Sequence, residues 1–76
     1  MSRITALSWK RLRCVFELDG FHFKQGKGSH WVGKKPGVKR PVVIPEYDEV
    51  GLNIIRANMR TAGMSRDRFL KLLSEC

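Results

Sequence analysis

Residues 20–45 read GFHFKQGKGSHWVGKKPGVKRPVVIP, and the pattern within this stretch predicts a β-sheet. Apolar and polar side chains alternate over 21–24, which is the two-residue period of a half-buried strand. The loop 25–28 contains two glycines and predicts a hairpin into a second strand over 29–34. A proline-glycine turn follows, and then a third strand over 42–44 with a proline on each side. We therefore predict a three-stranded antiparallel meander.

Helical periodicity flanks this meander on both sides. Apolar residues recur at the three- and four-residue spacing of one helical face over 9–19, with Ser8 as the N-cap. The same period returns between Gly51 and Gly63, and Ser65 caps a last helix. The residues that we expect this last helix to bury are Phe69, Leu70 and Leu73. The predicted fold is α+β in the order α-β-β-β-α-α, with the helices on one face of the sheet and the other face open.

The length of the chain predicts one small domain. A chain of 76 residues supports one modest core, so we assign 1–76 to a single domain. Hydrophobic residues make up 42% of the sequence, which is typical of a globular fold and not of a disordered segment. No apolar run approaches the roughly 20 residues that span a bilayer, and the first residues lack the apolar block of a secretory signal. We therefore expect a cytoplasmic protein with no membrane partner.

The two cysteines, Cys14 and Cys76, predict neither a disulfide framework nor a zinc site. Cys14 falls at a helical position beside apolar neighbours, and Cys76 is the last residue of the sequence. Neither lies at a zinc-ligand spacing from a histidine. We therefore interpret Cys14 as a small core residue and expect no metal ion and no cofactor.

Positive charge is concentrated in one part of the chain. The formal net charge is +8, and residues 1–45 carry ten Lys or Arg against two acids, whereas residues 46–76 carry five of each. The stretch 24–40 holds six basic residues and no acidic one. This asymmetry favours a nucleic-acid partner over an anionic membrane or an acidic protein, with a merely soluble basic face as the remaining alternative.

Within the basic stretch, Gly28-Ser29-His30 places an imidazole directly after a glycine turn. Histidine is the side chain that most readily gives or takes a proton near neutral pH. Strand alternation puts His30 on the face opposite Trp31, and because Trp31 suits the core, we expect His30 on the open face. On these residues alone a structural histidine is the commoner outcome, and Ser29 is ordinary turn chemistry.

The other polar residues are weaker indications of function than His30. We interpret His22 as solvated, since it is one outward strand position without distinctive neighbours. The acidic run at 46–49 is explained by the dipole of the helix that follows, and not by a metal site. Tyr47 is a candidate auxiliary residue that could donate its phenolic proton or stack on a base, or else an exposed loop aromatic. The sequence contains no P-loop, dinucleotide fingerprint or Ser/His/Asp set.

Several short motifs in order along the chain carry a family resemblance. They are Gly20-Phe21, Lys27-Gly28-Ser29-His30, Val43-Ile44-Pro45, Arg60-Thr61-Ala62-Gly63-Met64-Ser65 and Phe69-Leu70. Together they resemble the HicA (YcfA-like) family of small mRNA interferase toxins over nearly the whole chain. The resemblance implies a double-stranded-RNA-binding-like fold, a cytoplasmic bacterial or archaeal origin, metal-independent cleavage of mRNA, and neutralisation by a HicB-type antitoxin.

The resemblance implies a catalytic role for His30, and the residue types around it suggest a mechanism. The family's catalytic histidine carries over to His30, which would take the proton of a ribose 2′-hydroxyl that then attacks the adjacent phosphate. Many members have a second histidine where this chain has Tyr47, so the sequence contains no obvious general acid. Lys24 or Lys27 would stabilise charge on the phosphate. The expected RNA-binding residues are Lys24, Lys27, Gly28, Ser29, Lys34, Lys35, Lys39 and Arg40.

Two other functions remain open on the sequence. A non-catalytic RNA-binding module with the same fold would use the same basic face, with His30 as one more contact. An interaction module would instead dock an acidic protein on that face.

Overall fold

The computed structural model describes residues 3–76 and has the element order α-β-β-β-α-α. The elements are α1 (Trp9–Leu18), β1 (His22–Gln25), β2 (His30–Lys34), β3 (Val42–Pro45), α2 (Leu52–Ala62) and α3 (Arg66–Leu73). The predicted α+β topology is confirmed, and the predicted ends of α1 and of the strands are each within one residue of those observed. Met1 and Ser2 of the expected 1–76 domain lie outside the described residues. Over residues 3–76, no helix combines the length and the apolar character needed to cross a membrane.

The three strands form an antiparallel sheet in the order β1-β2-β3. β1 pairs with β2 so that His22 lies opposite Lys34, and β2 pairs with β3 so that His30 lies opposite Pro45. Helix α1 packs across one face of this sheet against β1 and β3. The expected side-chain alternation is confirmed, because Trp31 faces α1 while His30 is exposed.

The helix ends follow from local chemistry. The Ser8 hydroxyl accepts a hydrogen bond from the Arg11 backbone N–H at 3.3 Å, and the Ser65 hydroxyl accepts one from the Arg68 N–H at 3.1 Å. Gly63 ends α2 with φ of 64°, a left-handed conformation that glycine adopts without strain.

One hydrophobic core joins the helices to the sheet. Its buried members are Leu7, Leu12, Val15, Phe16, Phe21, Val42, Ile44, Val50, Ile55, Met59, Met64, Phe69 and Leu72. In α3, Phe69 is buried as predicted and Leu73 is half-buried against the core, whereas Leu70 is only half-buried and Leu72, which was not predicted, is buried. Residues 72 and 73 lie three and four positions after Phe69 and share its helical face, whereas Leu70 lies one position away from it.

The interpretation of Cys14 as an unpaired core residue was wrong. Cys14 forms a disulfide with Cys76, which ties α1 to the residues that follow α3. Helix α3 packs against α1, and this brings the two Cα atoms to 6.1 Å although 62 positions separate them in sequence. That distance lies within the range that a disulfide spans.

The outer edge of β3 is covered by a side chain from α2. Asn58 is buried, and its amide Nδ2 donates to the Val43 carbonyl oxygen at 2.9 Å while its Oδ1 accepts from the Val43 N–H at 3.3 Å. The amide thus pairs with Val43 as a neighbouring strand would. Helix α2 therefore protects this edge, and β3 keeps its inner pairing with β2.

Candidate nucleic-acid interface

The sheet face turned away from α1 carries the candidate site. We call it the open face and define it by His22, Lys24, His30, Val32, Lys34 and Val43. All of these side chains are exposed except Val32, which is half-buried. In the register, His22 lies opposite Lys34, and Lys24 lies opposite Val32, which in turn lies opposite Val43. Two histidines and two lysines thus surround a small apolar centre, and no acidic side chain belongs to the face.

The backbone around His30 is hydrogen-bonded to both neighbouring segments. The Gly26 N–H donates to the His30 carbonyl oxygen at 2.8 Å, and the Glu46 N–H donates to the Ser29 carbonyl oxygen at 2.8 Å. The hairpin loop reaches His30 through Gly28, whose φ of 62° favours glycine. The His30 imidazole is exposed on this hydrogen-bonded backbone, so a ligand can reach it from solvent.

The neighbouring residue Trp31 anchors β2 to α1 from the other face of the sheet. Its ring stacks on Trp9 with centroids 5.6 Å apart, and the Arg13 guanidinium lies 4.4 Å from the Trp31 ring centroid. The Trp31 indole N–H donates to Glu46 Oε1 at 2.8 Å. These contacts position the strand that presents His30.

The acidic run at 46–49 does not serve the helix as we expected. Glu46 accepts the indole N–H of Trp31 instead, and α2 has no acidic residue in its first turn. The run ends three residues before α2 begins at Leu52, so its carboxylates are not in the first turn, where the helix dipole acts.

Tyr47 lies at the same end of the sheet as His30. Its carbonyl oxygen accepts the Trp9 N–H at 3.1 Å, and its own N–H donates to the Pro45 carbonyl oxygen at 2.8 Å. Pro45 lies opposite His30 in the register, and the Tyr47 side chain is 53% exposed. The phenol is thus accessible two residues from the partner of His30.

The predicted RNA-binding residues fall into three groups. Lys24 and Lys34 lie on the open face, whereas Lys27, Gly28 and Ser29 form the hairpin loop next to His30. Lys39 and Arg40 are exposed in the loop between β2 and β3, at the end of the sheet away from His30.

Lys35 belongs to an ion-pair cluster around Asp19. Its ammonium lies 3.4 Å from Asp19 Oδ2, and Arg68 Nε lies 3.2 Å from Oδ1 of the same carboxylate. The Asp19 side chain is only 10% exposed, so these two cations compensate a largely buried charge. Lys35 therefore makes a structural contact, and its RNA-binding role stays a prediction.

His22 was placed by the sequence on the outward side of β1 with Lys24, in a basic patch around His30, but was interpreted as solvated and not as a site residue. It lies on the open face with Lys24, and a cavity of about 300 Å³ on this face is lined by His22, Lys24, Gln25, Gly26, Val32 and Lys34. The shared side follows from the strand period, because positions 22 and 24 are two residues apart. At ~3.4 Å per residue along a strand and ~4.8 Å between strands, His22 lies roughly 14 Å from His30 and Lys24 roughly 8 Å from it. His22 is therefore too distant to act on the same phosphate as His30.

The chemistry available on the open face is proton transfer and electrostatic attraction. Within residues 3–76, no three His, Cys, Asp or Glu side chains are grouped so that they could hold a metal ion. An exposed imidazole next to lysines can exchange protons with a bound polyanion and hold its phosphates.

Comparison of the chain with protein-family models, curated proteins and solved structures finds no match. The assignment to the HicA family therefore stays a prediction from the motifs quoted above. The topology and the position of His30 are independent of that resemblance, because they are features of the structure itself.

Proposed function

We propose that the chain is a metal-independent endoribonuclease, an mRNA interferase toxin of the HicA type, with His30 as its general base. The observation that carries the proposal is the position of His30. Its imidazole is exposed at the start of β2, on an open face with Lys24 and beside the loop that holds Lys27. A single strand of RNA on this face would place a ribose and its phosphate between a base and two cations.

The reaction follows from these groups. His30 accepts the proton of a ribose 2′-hydroxyl, and the 2′-oxygen forms a bond to the adjacent phosphorus. The bond from phosphorus to the 5′-oxygen breaks, which leaves a 2′,3′-cyclic phosphate on one fragment. The 5′-oxygen takes up a proton to become a free hydroxyl, and Tyr47 is the proposed auxiliary donor. Lys24 or Lys27 stabilises the charge on the phosphate oxygens.

The remaining basic residues have a binding role in this proposal. Lys34, Lys39 and Arg40 hold the RNA backbone without reading its sequence, and His22 extends the same surface. A HicB-type antitoxin as partner and a cytoplasmic location complete the proposal, and both rest on the family resemblance.

Replacement of His30 by alanine tests the proposed reaction. We expect H30A to cleave a single-stranded RNA at least ~100-fold more slowly than the wild type, both in EDTA, because proton transfer by a positioned side chain contributes about that factor or more. The measurement is the cleavage rate on a denaturing gel, with the product ends identified by mass spectrometry. An RNA with a 2′-deoxyribose at the cleaved position should stay intact.

The exposed Lys71 on α3 provides a matched control, because it lies outside the interface. K71A should cleave at the wild-type rate, and H30A should bind the deoxy-substituted RNA as the wild type does. Equal cleavage by H30A and the wild type would contradict His30 as the base.

One observation favours a non-catalytic RNA-binding module as a second candidate. The cavity on the open face is lined by His22, Lys24 and Lys34 and does not include His30. If the chain is a module of this kind, the wild-type protein binds RNA but never cleaves it. The same cleavage assay therefore separates the two functions.

A further inference from the structure

A second surface with a distinct character lies outside the sheet. It is a groove of about 580 Å³ between the segment that precedes α1 and the helices α2 and α3. The residues that line it are Arg3, Ile4, Thr5, Leu52, Arg56, Met59 and Arg66. None of these lining residues belongs to a strand, so this arginine groove is separate from the open face.

The arginine groove is built by contacts between distant parts of the chain. Leu7 pairs with Val50 in an antiparallel bridge, with the Val50 N–H donating to the Leu7 carbonyl oxygen at 2.6 Å. This bridge places residues 3–5 beside the start of α2. Ile4 and Leu52 are half-buried and Met59 is 8% exposed, so these residues give the groove an aliphatic floor.

Local charge around the groove is strongly positive although the C-terminal part of the chain is neutral in sum. The groove lining includes three arginines, Arg3, Arg56 and Arg66, and no acidic residue, while the nearest acids in sequence are Glu49 and Asp67. Arg3 and Arg56 are exposed, and neither forms an ion pair with another residue of the described range 3–76. The sum over 46–76 concealed this surface, because none of the five acids in that range lines the groove.

The arginines and the aliphatic floor of the groove indicate the chemical class of its ligand. Sites for single-stranded nucleic acid without sequence preference combine cations with rings on which bases stack, and this groove is lined by neither an aromatic residue nor a histidine, unlike the open face with its two imidazoles. Arginine instead binds carboxylates through two parallel hydrogen bonds, while an aliphatic floor takes an apolar side chain. We propose that the arginine groove binds an acidic segment of a partner protein, with an apolar side chain of that segment on the floor and its carboxylates on Arg3 and Arg56. This proposal does not depend on RNA cleavage by His30.

A synthetic peptide that alternates glutamate with leucine is the probe, and the full-length chain is the receptor. Methyl NMR signals of Ile4, Leu52 and Met59 report on the floor. We expect them to shift saturably with this peptide, and to shift much less with a peptide of the same charge in which alanine replaces leucine. R56E should weaken binding by about tenfold or more, as expected for loss of one charge-assisted contact.

Arg60 offers a matched control on the same helix. It is exposed but does not line the groove, so R60E carries the same charge reversal and should retain most of the affinity. Equal weakening by R60E and R56E would overturn the proposal, because the peptide would then be attracted by the general positive charge of the protein and not by contacts in the groove. Absence of methyl shifts, or larger shifts with single-stranded RNA than with the peptide, would also overturn it. H30A should bind the peptide as the wild type does, so failure of RNA cleavage and failure of this groove are separate results.

Discussion

At the scale of single residues, the lack of a side chain at Gly33 leaves room for the Phe23 ring against β2. A Cβ atom at this position would lie 2.5 Å from Cε2 of Phe23 and 2.9 Å from Cγ2 of Val42. The Phe23 ring therefore lies directly over the β2 backbone on the core side. Because Phe23 points into the core, its neighbours His22 and Lys24 point to the open face.

Replacement of Gly33 by alanine should destabilise the fold by about 1–3 kcal/mol, since the added methyl overpacks a tight site. The measurement is the free energy of unfolding in urea. F23L shortens the ring, so the double variant F23L/G33A should lose less than the sum of the two single losses. Additive losses would show that the cost of the added methyl does not come from the Phe23 ring. An unchanged stability of G33A would show that the ring moves aside freely. V43A alters an exposed side chain of the same sheet and serves as the control.

At the scale of elements, the attachment of α2 to β3 depends on Asn58. Val43 directs its N–H and C=O away from β2, and both are satisfied by the Asn58 amide. This polar residue sits among the apolar positions Ile55 and Met59, which contribute to the core. Its role is therefore to bond the backbone N–H and C=O of Val43 at the outer edge of β3, and not to fill the core.

Replacement of Asn58 by alanine should lower the free energy of unfolding by about 1–3 kcal/mol, because two backbone groups of a partly buried strand lose their partner. The amide proton of Val43 should then exchange with solvent much faster, while that of Ile44, which faces β2, stays protected. Hydrogen exchange by NMR measures both. Asn53 is exposed on the same helix, so N53A should change stability by less than ~0.5 kcal/mol. An unchanged Val43 exchange rate would contradict this role.

Sequence patterns predicted the parts of the fold that depend on near neighbours. The alternation around Trp31 placed His30 on the open face, and Ser8 and Ser65 were correct as helix caps. Contacts between distant residues were not predicted, because no local period encodes them. In the sequence, Asn58 is a polar residue that interrupts an apolar helical stripe. Its function is evident only in the structure, where its amide pairs with the backbone of Val43. Lys35 falls after the end of β2, where strand alternation no longer determines its direction, and it turns to Asp19.

At the scale of the whole molecule, α3 is fastened to the rest of the protein at both of its ends. Arg68 in its first turn bonds to Asp19 at the end of α1, and Cys76 beyond its last turn is linked to Cys14 within α1. Phe69 and Leu72 pack into the core between these two attachments. The covalent link also bears on location, since most cytoplasms keep such thiols reduced, whereas oxidising compartments preserve the bond. In a reducing cytoplasm, α3 would depend on its ion pair and its packing alone.

Reduction of the Cys14–Cys76 disulfide should therefore lower the stability of the whole fold. The bond joins positions 62 residues apart, and a loop of that length constrains the unfolded chain by about 4 kcal/mol in the chain-entropy model. Because small domains have a net stability of only ~5–15 kcal/mol, the urea midpoint should fall substantially when a reductant is added. C14S/C76S should unfold at this lower midpoint with or without reductant, which separates loss of the bond from other effects of the reagent. Equal midpoints for oxidised and reduced wild type would show that α3 is held by its noncovalent contacts.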